Sequence, residues 1–164
     1  MTKINRKNYG FTLLELLVVI GIIAIILALA VPNFMGARQR ARDSRDKSEM
    51  NELKNALRMY YNDNQAYPTG DGTFTTPNLN CDGLGFATGE PADCTVYMKS
   101  LPNNFGDVDG IQYFSINTED FCLTAKLDNL ADQDLETSQT RCASSCTSSG
   151  TDSCTGDIYC VCAD

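Results

Sequence analysis

A long apolar segment near the amino terminus constrains the fold of this chain more than any other feature. It spans Phe11–Val31, and only Thr12, Glu15 and Gly21 depart from its apolar character before Pro32 follows it. A helix over these 21 residues rises about 1.5 Å per residue and is roughly 31 Å long, which is enough to cross the hydrocarbon core of a bilayer. A surface helix of a soluble domain keeps a polar face, and this segment has none. The segment therefore predicts one transmembrane helix.

A short basic leader precedes the apolar segment. Its charges come from Lys3, Arg6 and Lys7, and no acidic residue accompanies them. A basic start is typical of a secretory signal, but no small-residue cleavage site follows the apolar segment. The small-residue junction, Gly10-Phe11, precedes the segment instead.

Glu15 is a second unusual feature, because a carboxylate at membrane depth is costly. Insertion scales put the cost at about 2.5–3.5 kcal/mol at mid-helix and less near an end. If the segment were only an ordinary signal anchor, an acidic residue at position 15 would have no explanation. The basic leader, the Gly10-Phe11 junction, Glu15 and the apolar helix ending at Pro32 together resemble the type III signal of type IV pilins and type II secretion pseudopilins. This resemblance covers about residues 1–68.

The resemblance implies how the chain is processed and assembled. A membrane prepilin peptidase is expected to cut between Gly10 and Phe11, and Phe11 is then expected to be N-methylated. Glu15 and the new amine of Phe11 are expected to set the register between neighbouring subunits, the alternative being a pair within one helix. Gly21 and Pro32 lie inside this helix, and a kink or local melting is expected near residues 28–32, because proline removes a backbone donor and clashes with the preceding turn.

The resemblance also implies function and partners. It indicates a major or minor pilin of a type IV pilus-like filament, with a secretion pseudopilin or a competence pilin for DNA uptake as alternatives. A membrane-anchored extracellular binding domain that never polymerises is the alternative from another class. The expected partners are copies of the chain itself, minor pilins, a prepilin peptidase, an inner-membrane assembly platform, and membrane lipid before assembly.

Charge and residue types limit the other functions. The net charge is −8, and loss of the three basic leader residues leaves ten basic against 21 acidic residues, or −11. An acidic surface disfavours nucleic acid in general, although a local basic patch remains an alternative. The chain has no histidine, so a Ser-His or Cys-His nucleophile is excluded. No cofactor, catalytic residue or enzymatic activity is predicted.

Two flanks with basic residues bear on orientation. The basic leader predicts that the amino terminus stays on the cytoplasmic side of the inner membrane. The other flank is also basic, which conflicts with this rule; its charges are Arg38, Arg40, Arg42, Arg45 and Lys47. Eight cysteines favour an oxidising compartment for the carboxyl-terminal part. We therefore expect a single-pass subunit with its amino terminus inside, which becomes extracellular in the assembled filament.

Beyond the leader (1–10) and the transmembrane and polymerisation helix (11–32), we expect two further regions. An amphipathic continuation of the helix covers 33–68, where buried positions at helical spacing are Met50, Leu53, Ala56, Leu57, Tyr60 and Tyr61. A globular head with a cysteine-rich tail covers 69–164. Residues 111–116, 121–127 and 158–162 read as strands of an antiparallel sheet, so the fold class is α+β.

The remaining head segments are predicted to be irregular. Residues 69–95 read as a long loop, with a Cys81–Cys94 bridge as one way of closing it. Residues 137–157 read as a polar tail that disulfides must hold. The candidate disulfide residues are Cys81, Cys94, Cys122, Cys142, Cys146, Cys154, Cys160 and Cys162. Zinc at Cys142-x3-Cys146 and Cys160-x-Cys162, and calcium at Asp107–Gly110, are the less favoured alternatives.

Overall fold

A computed structural model describes residues 10–74, 85–90, 93–115, 117–148 and 154–163. The chain divides into two compact units, Met1–Arg38 and Gln39–Asp164. One helix, α1 (Leu13–Asn64), belongs to both units. All of the other helices and strands described lie in the second unit.

The two parts of α1 differ in what they bury. Between Leu13 and Met35 its large apolar side chains are exposed, because the sequence offers no polar face. In the second unit Met50, Leu53 and Leu57 are fully buried in the core of the head. The predicted stripe is therefore confirmed, except that Tyr61 is only half-buried.

The end of α1 also follows the sequence prediction. Gln65 takes a left-handed conformation (φ 53°) and its N–H donates to the Tyr61 carbonyl at 2.7 Å. A left-handed residue just past the helix is a common carboxyl-terminal cap, and Pro68 then disfavours helix at the preceding residue. The helix stays regular through residues 28–32, so the local melting expected there is not seen. A kink at Gly21 and Pro32 stays a prediction.

The head is built on a four-stranded antiparallel sheet in the order β1-β4-β5-β6. Its strands are β1 (Gly70–Phe74), β4 (Gln112–Ser115), β5 (Cys122–Lys126) and β6 (Ile158–Cys162). A separate antiparallel hairpin pairs β2 (Phe86–Glu90) with β3 (Asp93–Met98). A second helix, α2 (Asp134–Ser148), precedes β6. Together with α1 these elements confirm the α+β fold class.

Two segments differ from the sequence prediction. The predicted loop over 69–95 is wrong where it contains β1, β2 and the start of β3. The predicted polar tail over 137–157 is wrong where it contains most of α2, which buries Leu135, Ser138, Cys142 and Cys146. The proposed Cys81–Cys94 bridge involves Cys81, which lies outside the described residues.

The approach of β1 to β4 explains one glycine. Tyr113 is fully buried on β4, and its hydroxyl donates to the Pro68 carbonyl at 2.5 Å. A Cβ on Gly70 would lie 2.6 Å from the Tyr113 ring and against the Thr73 carbonyl oxygen. Burial raises the pKa of the Tyr113 hydroxyl, so this group remains a neutral donor that ties the start of the sheet to the end of α1.

Among the described residues, two disulfides join α2 to the sheet and a third joins β6 to the segment before it. They join Cys122 to Cys146, Cys142 to Cys162, and Cys154 to Cys160, with Cα–Cα distances of 4.8, 5.6 and 6.0 Å. The Cys122, Cys146 and Cys160 sulfurs lie within 4.8 Å of one another, which is the arrangement a zinc site would also need. Because each of these sulfurs is already covalently paired, the structure supports disulfides at this cluster.

Candidate processing and assembly site

The start of α1 forms a reciprocal capping box between Thr12 and Glu15. The Thr12 N–H and hydroxyl both donate to Glu15 Oε2, at 3.0 and 2.8 Å, and the Glu15 N–H donates to Thr12 Oγ1 at 3.2 Å. A Thr-x-x-Glu spacing at a helix start satisfies two otherwise unpaired backbone donors in this way. The box also supplies the carboxylate with local donors, which reduces the cost of placing it near a membrane.

The sequence interpretation treated Glu15 as a lone carboxylate and missed this box. The signal was present, because Thr12 and Glu15 stand three residues apart just before a long helix. The structure therefore adds a role that the family resemblance did not: Glu15 helps to start α1.

Gly10 and Phe11 lie directly before the capping box and are exposed. Phe11 is 81% exposed. A Cβ added to Gly10 would meet no described atom within 4 Å. The described part of the fold therefore gives no packing reason for glycine at this position.

The apolar half of α1, residues 13–35, is not buried by any other part of the described chain. Its most apolar window has a mean hydropathy of 3.1 and is 0% buried, so α1 is long and apolar enough to cross a membrane. Exposed large side chains include Leu14, Leu17, Ile25, Leu29 and Phe34. So large an apolar surface marks a membrane or protein contact.

Beyond the apolar half, several basic side chains of α1 bind acids of the chain itself. Arg42 pairs with Asp128, which is 86 residues further along the chain. Lys47 binds Asp132 and Asp134, at 2.6 and 2.9 Å. Partial burial works to lower the pKa of Lys47, but the hydrogen bonds that its ammonium donates to Asp132 and Asp134 outweigh this effect and raise the pKa.

The buried Asp43 belongs to the same contact. Its two carboxylate oxygens accept the backbone N–H groups of Asp128 and Asn129, each at 2.9 Å. The segment between β5 and α2 is thus held on α1 by both side-chain and backbone bonds. Sequence reasoning counted the basic residues of this flank but did not identify these partners, because they lie about 85 residues away in the chain.

The predicted site residues fall into separate places. Gly10, Phe11 and Glu15 lie together at the start of α1, whereas Gly21 and Pro32 lie within it. The suggested calcium segment is a turn, in which the Gly110 N–H donates to the Asp107 carbonyl at 3.0 Å. Asp109 is 86% exposed and its nearest ionic partner in the described chain is Lys126, 4.0 Å away. The observed arrangement is therefore that of solvated turn carboxylates.

A leader junction, a capped apolar helix and a small disulfide-bonded α+β head are features of one class of proteins, and comparison with known proteins identifies it. The chain belongs to the family of type IV pilins and type II secretion pseudopilins. A family model described as the prokaryotic N-terminal methylation motif matches residues 5–31.

Individual relatives come from both branches of the family. Type II secretion system core protein G of Aeromonas hydrophila is 48% identical over 104 residues, which cover 61% of this chain and 68% of that protein. The protein of the same name from Vibrio cholerae is 44% identical over 60% of this chain and 66% of its own length. The type IV wide pilus major component PilA4 of Thermus thermophilus is 39% identical over 45% of this chain and 56% of its own length. No solved structure matches the chain significantly.

Proposed function

We propose that this chain is a structural subunit of a pilin-type filament. It is inserted as a membrane-anchored precursor, cleaved between Gly10 and Phe11, methylated at Phe11, and polymerised through α1. The observation that carries the proposal is the apolar half of α1, which is exposed on all sides and begins directly after the Gly10-Phe11 junction. Lipid covers this surface before assembly, and the same surface of other copies covers it afterwards.

Processing explains the otherwise unnecessary glycine. A protease must bring the scissile backbone close to its catalytic groups, and a Cβ at position 10 would intrude there, whereas the described fold leaves that space open. Cleavage also converts the Phe11 amide nitrogen into an amine. The new positive charge then lies one helical turn from Glu15, close enough for a pair within one chain or between two chains.

The pairing between chains supplies the register of the filament. An amine and a carboxylate at membrane depth are each costly alone, and their attraction is strong at low dielectric. A subunit leaving the lipid for the filament keeps a partner for both charges when the Phe11 amine of one copy meets Glu15 of the next.

The leader and the disulfides support an orientation with the amino terminus on the inner side of the membrane. Lys3, Arg6 and Lys7 favour that side for the amino terminus, and a disulfide-bonded head favours the oxidising side. The expected partners are copies of this chain, minor pilins, a prepilin peptidase and an inner-membrane assembly platform. DNA uptake is not favoured by the acidic composition.

Two filaments remain candidates, and different observations favour them. Relatives named type II secretion system core protein G favour a secretion pseudopilus. The PilA4 relative and the head with its three described disulfides favour a surface pilus. Immunogold electron microscopy of cells separates them, because a pilus extends from the surface at native expression and a pseudopilus stays within the envelope.

One experiment tests the proposal as a whole. Mass spectrometry of the protein from its native host should give an amino-terminal peptide beginning with methylated Phe11. Chemical cross-linking in cells should give ladders of this chain. A terminus at Met1, or a monomer in every fraction, would overturn the proposal and favour a membrane-anchored binding domain that does not polymerise.

A further inference from the structure

Two arginines of α1 lack an acceptor in the described part of the chain. Arg42, Arg45 and Lys47 bind acids of the chain itself, and the further cations of α1 also have partners. Arg38 and Arg40 are exposed and make no hydrogen bond or ion pair within the described ranges. Their charges are therefore available to something outside the chain.

Both arginines lie just past the apolar half of α1. The last large exposed apolar residue of that half is Met35, and Arg38 follows it by three residues, or about 4.5 Å of helix. No acid occurs between Leu16 and Arg42. When the apolar half spans a bilayer, this position falls at the level of the lipid phosphates, on the face opposite the leader.

The directions of the two side chains indicate what binds them. Residues two apart on a helix point about 200° apart around its axis, so Arg38 and Arg40 leave opposite sides of α1. A single protein surface docked on one side would reach one of them. Lipid headgroups surround the helix and reach both, and a guanidinium binds phosphate oxygens in a bidentate manner.

We propose that Arg38 and Arg40 form an arginine collar that binds anionic lipid headgroups on the membrane face opposite the leader. The collar fixes the depth of the unassembled subunit in the membrane. The inference rests on α1 spanning the membrane, and it does not require that the chain polymerise.

The direct test is the distance from the guanidinium carbons to lipid phosphorus. The full chain, labelled with 13C-arginine, is placed in nanodiscs of phosphatidylglycerol and phosphatidylcholine, and 13C–31P dipolar dephasing is measured by solid-state NMR. The Arg38→Gln/Arg40→Gln variant should show less of the strongly dephased signal than the wild type, and the remainder should come from Arg6 of the leader, which both chains share. The matched control is Arg45→Gln, which removes an exposed arginine already paired with Asp46 and Glu49 and should keep the signal.

Binding affinity gives a second measurement. A charge near a lipid surface changes anionic-lipid affinity by about fivefold, so each single variant should raise the dissociation constant for phosphatidylglycerol at this site by about that factor. The basic leader is common to all variants, so its own lipid binding cancels in the comparison. Inorganic phosphate at equal concentration should not compete, since the site needs a phosphate fixed at the membrane surface.

Several outcomes would overturn the collar. The dephasing could be unchanged in the double variant, or the Arg45→Gln variant could lose as much dephased signal as the double variant. Free phosphate could compete with the lipid, or the two arginines could contact carboxylates of a second copy in place of lipid phosphate. Flotation of the nanodisc protein separates the possible failures. Protein that does not insert contradicts the membrane span itself, whereas inserted protein with unchanged dephasing contradicts the collar and leaves the filament proposal intact.

Discussion

At the scale of single residues, Glu15 has two separable roles. Its carboxylate closes the capping box with Thr12, and its charge is proposed to set the register between subunits. Glutamine can replace glutamate in a capping box, but it carries no charge to meet an amine. The two roles can therefore be tested with different substitutions.

We expect Glu15→Gln to insert and be cleaved normally yet to assemble poorly, with subunits left in the membrane. Thr12→Val removes the capping hydroxyl and keeps the charge, so it should still form filaments, with a loss of about 0.5–2 kcal/mol in helix stability at the start of α1. Sheared filaments and membrane fractions, compared by immunoblot, measure both effects. Filaments of Glu15→Gln at normal number and length would show that capping is the role of Glu15.

Asp132 gives a pH dependence at the same scale. The hydrogen bond from Lys47 lowers the pKa of Asp132 below its ordinary value. A lowered pKa stabilises the fold above the unfolded-state pKa, and this contribution is lost as the pH falls through the folded-state value. Wild-type unfolding free energy should therefore fall more steeply below about pH 4 than that of Asp132→Asn.

Urea titration followed by circular dichroism measures this difference, which should be about 1 kcal/mol or less at neutral pH. Asp134→Asn is the matched control, because Asp134 binds the same lysine but its side chain is 70% exposed. The control should lower the unfolding free energy at neutral pH less, because an exposed ion pair is screened by solvent. The prediction would be contradicted if the unfolding free energies of wild type and Asp132→Asn fell equally steeply with decreasing pH.

At the scale of the elements, the sequence predicted those whose pattern is local. The apolar half of α1, its buried stripe and the three strands β4, β5 and β6 all carry regular hydrophobic spacing. The helix α2 does not, because its serines, threonines and cysteines are poor helix formers. Tertiary contacts hold it instead. Two disulfides link it to the sheet, and Gln139 donates to the Gly156 and Ile158 carbonyls beside β6.

The residues of the candidate site also divide into those with a local sequence signal and those brought together only by the fold. The Gly10-Phe11 junction and Glu15 form a contiguous sequence signal, and so they could be found without a structure. The partners of Asp43 and Lys47 could not, because the chain returns to them only after building most of the sheet. The sequence did not predict the β2–β3 hairpin, because β2 lacks a regular hydrophobic pattern. Its first two residues, Phe86 and Ala87, are buried, but Thr88, Gly89 and Glu90 follow them.

The disulfides of the carboxyl-terminal region should stabilise the head more when the loop that they close is longer. Loss of Cys142–Cys162, with a separation of 20 residues, should cost about 3 kcal/mol of unfolding free energy by loop entropy. Loss of Cys154–Cys160, with a separation of 6 residues, should cost about 2 kcal/mol. Paired Cys→Ser variants and thermal unfolding measure both.

Intact protein should also show no free thiol, because alkylation under denaturing, non-reducing conditions should leave its mass unchanged. Several alkylated cysteines in the exported wild type would contradict the disulfide assignment and favour the alternative of a zinc site at these cysteines. Equal melting temperatures for wild type and the Cys142→Ser/Cys162→Ser variant would contradict the role assigned to the bridge in holding α2.

At the scale of the whole molecule, the buried apolar residues that the structure describes all belong to the second unit. They lie within Gln39–Asp164, whereas the described large apolar residues of the first unit are exposed. The described hydrophobic core of the head therefore contains no side chain of the first unit. Such a division suits a subunit that changes its surroundings from lipid to filament, because the surface that exchanges contacts is not part of the core.

A chain beginning at Gln39 should consequently be a soluble, monomeric head whose unfolding midpoint lies close to that of the full chain in detergent. Leu57→Ala in this fragment should lower the unfolding free energy by about 2–5 kcal/mol, because Leu57 is fully buried. Leu27→Ala in the full chain is the control and should leave the head unchanged, since Leu27 is 53% exposed in the first unit. Sedimentation and thermal unfolding measure these properties. A fragment that aggregates or unfolds without cooperativity would show that the membrane half of α1 is needed to fold the head.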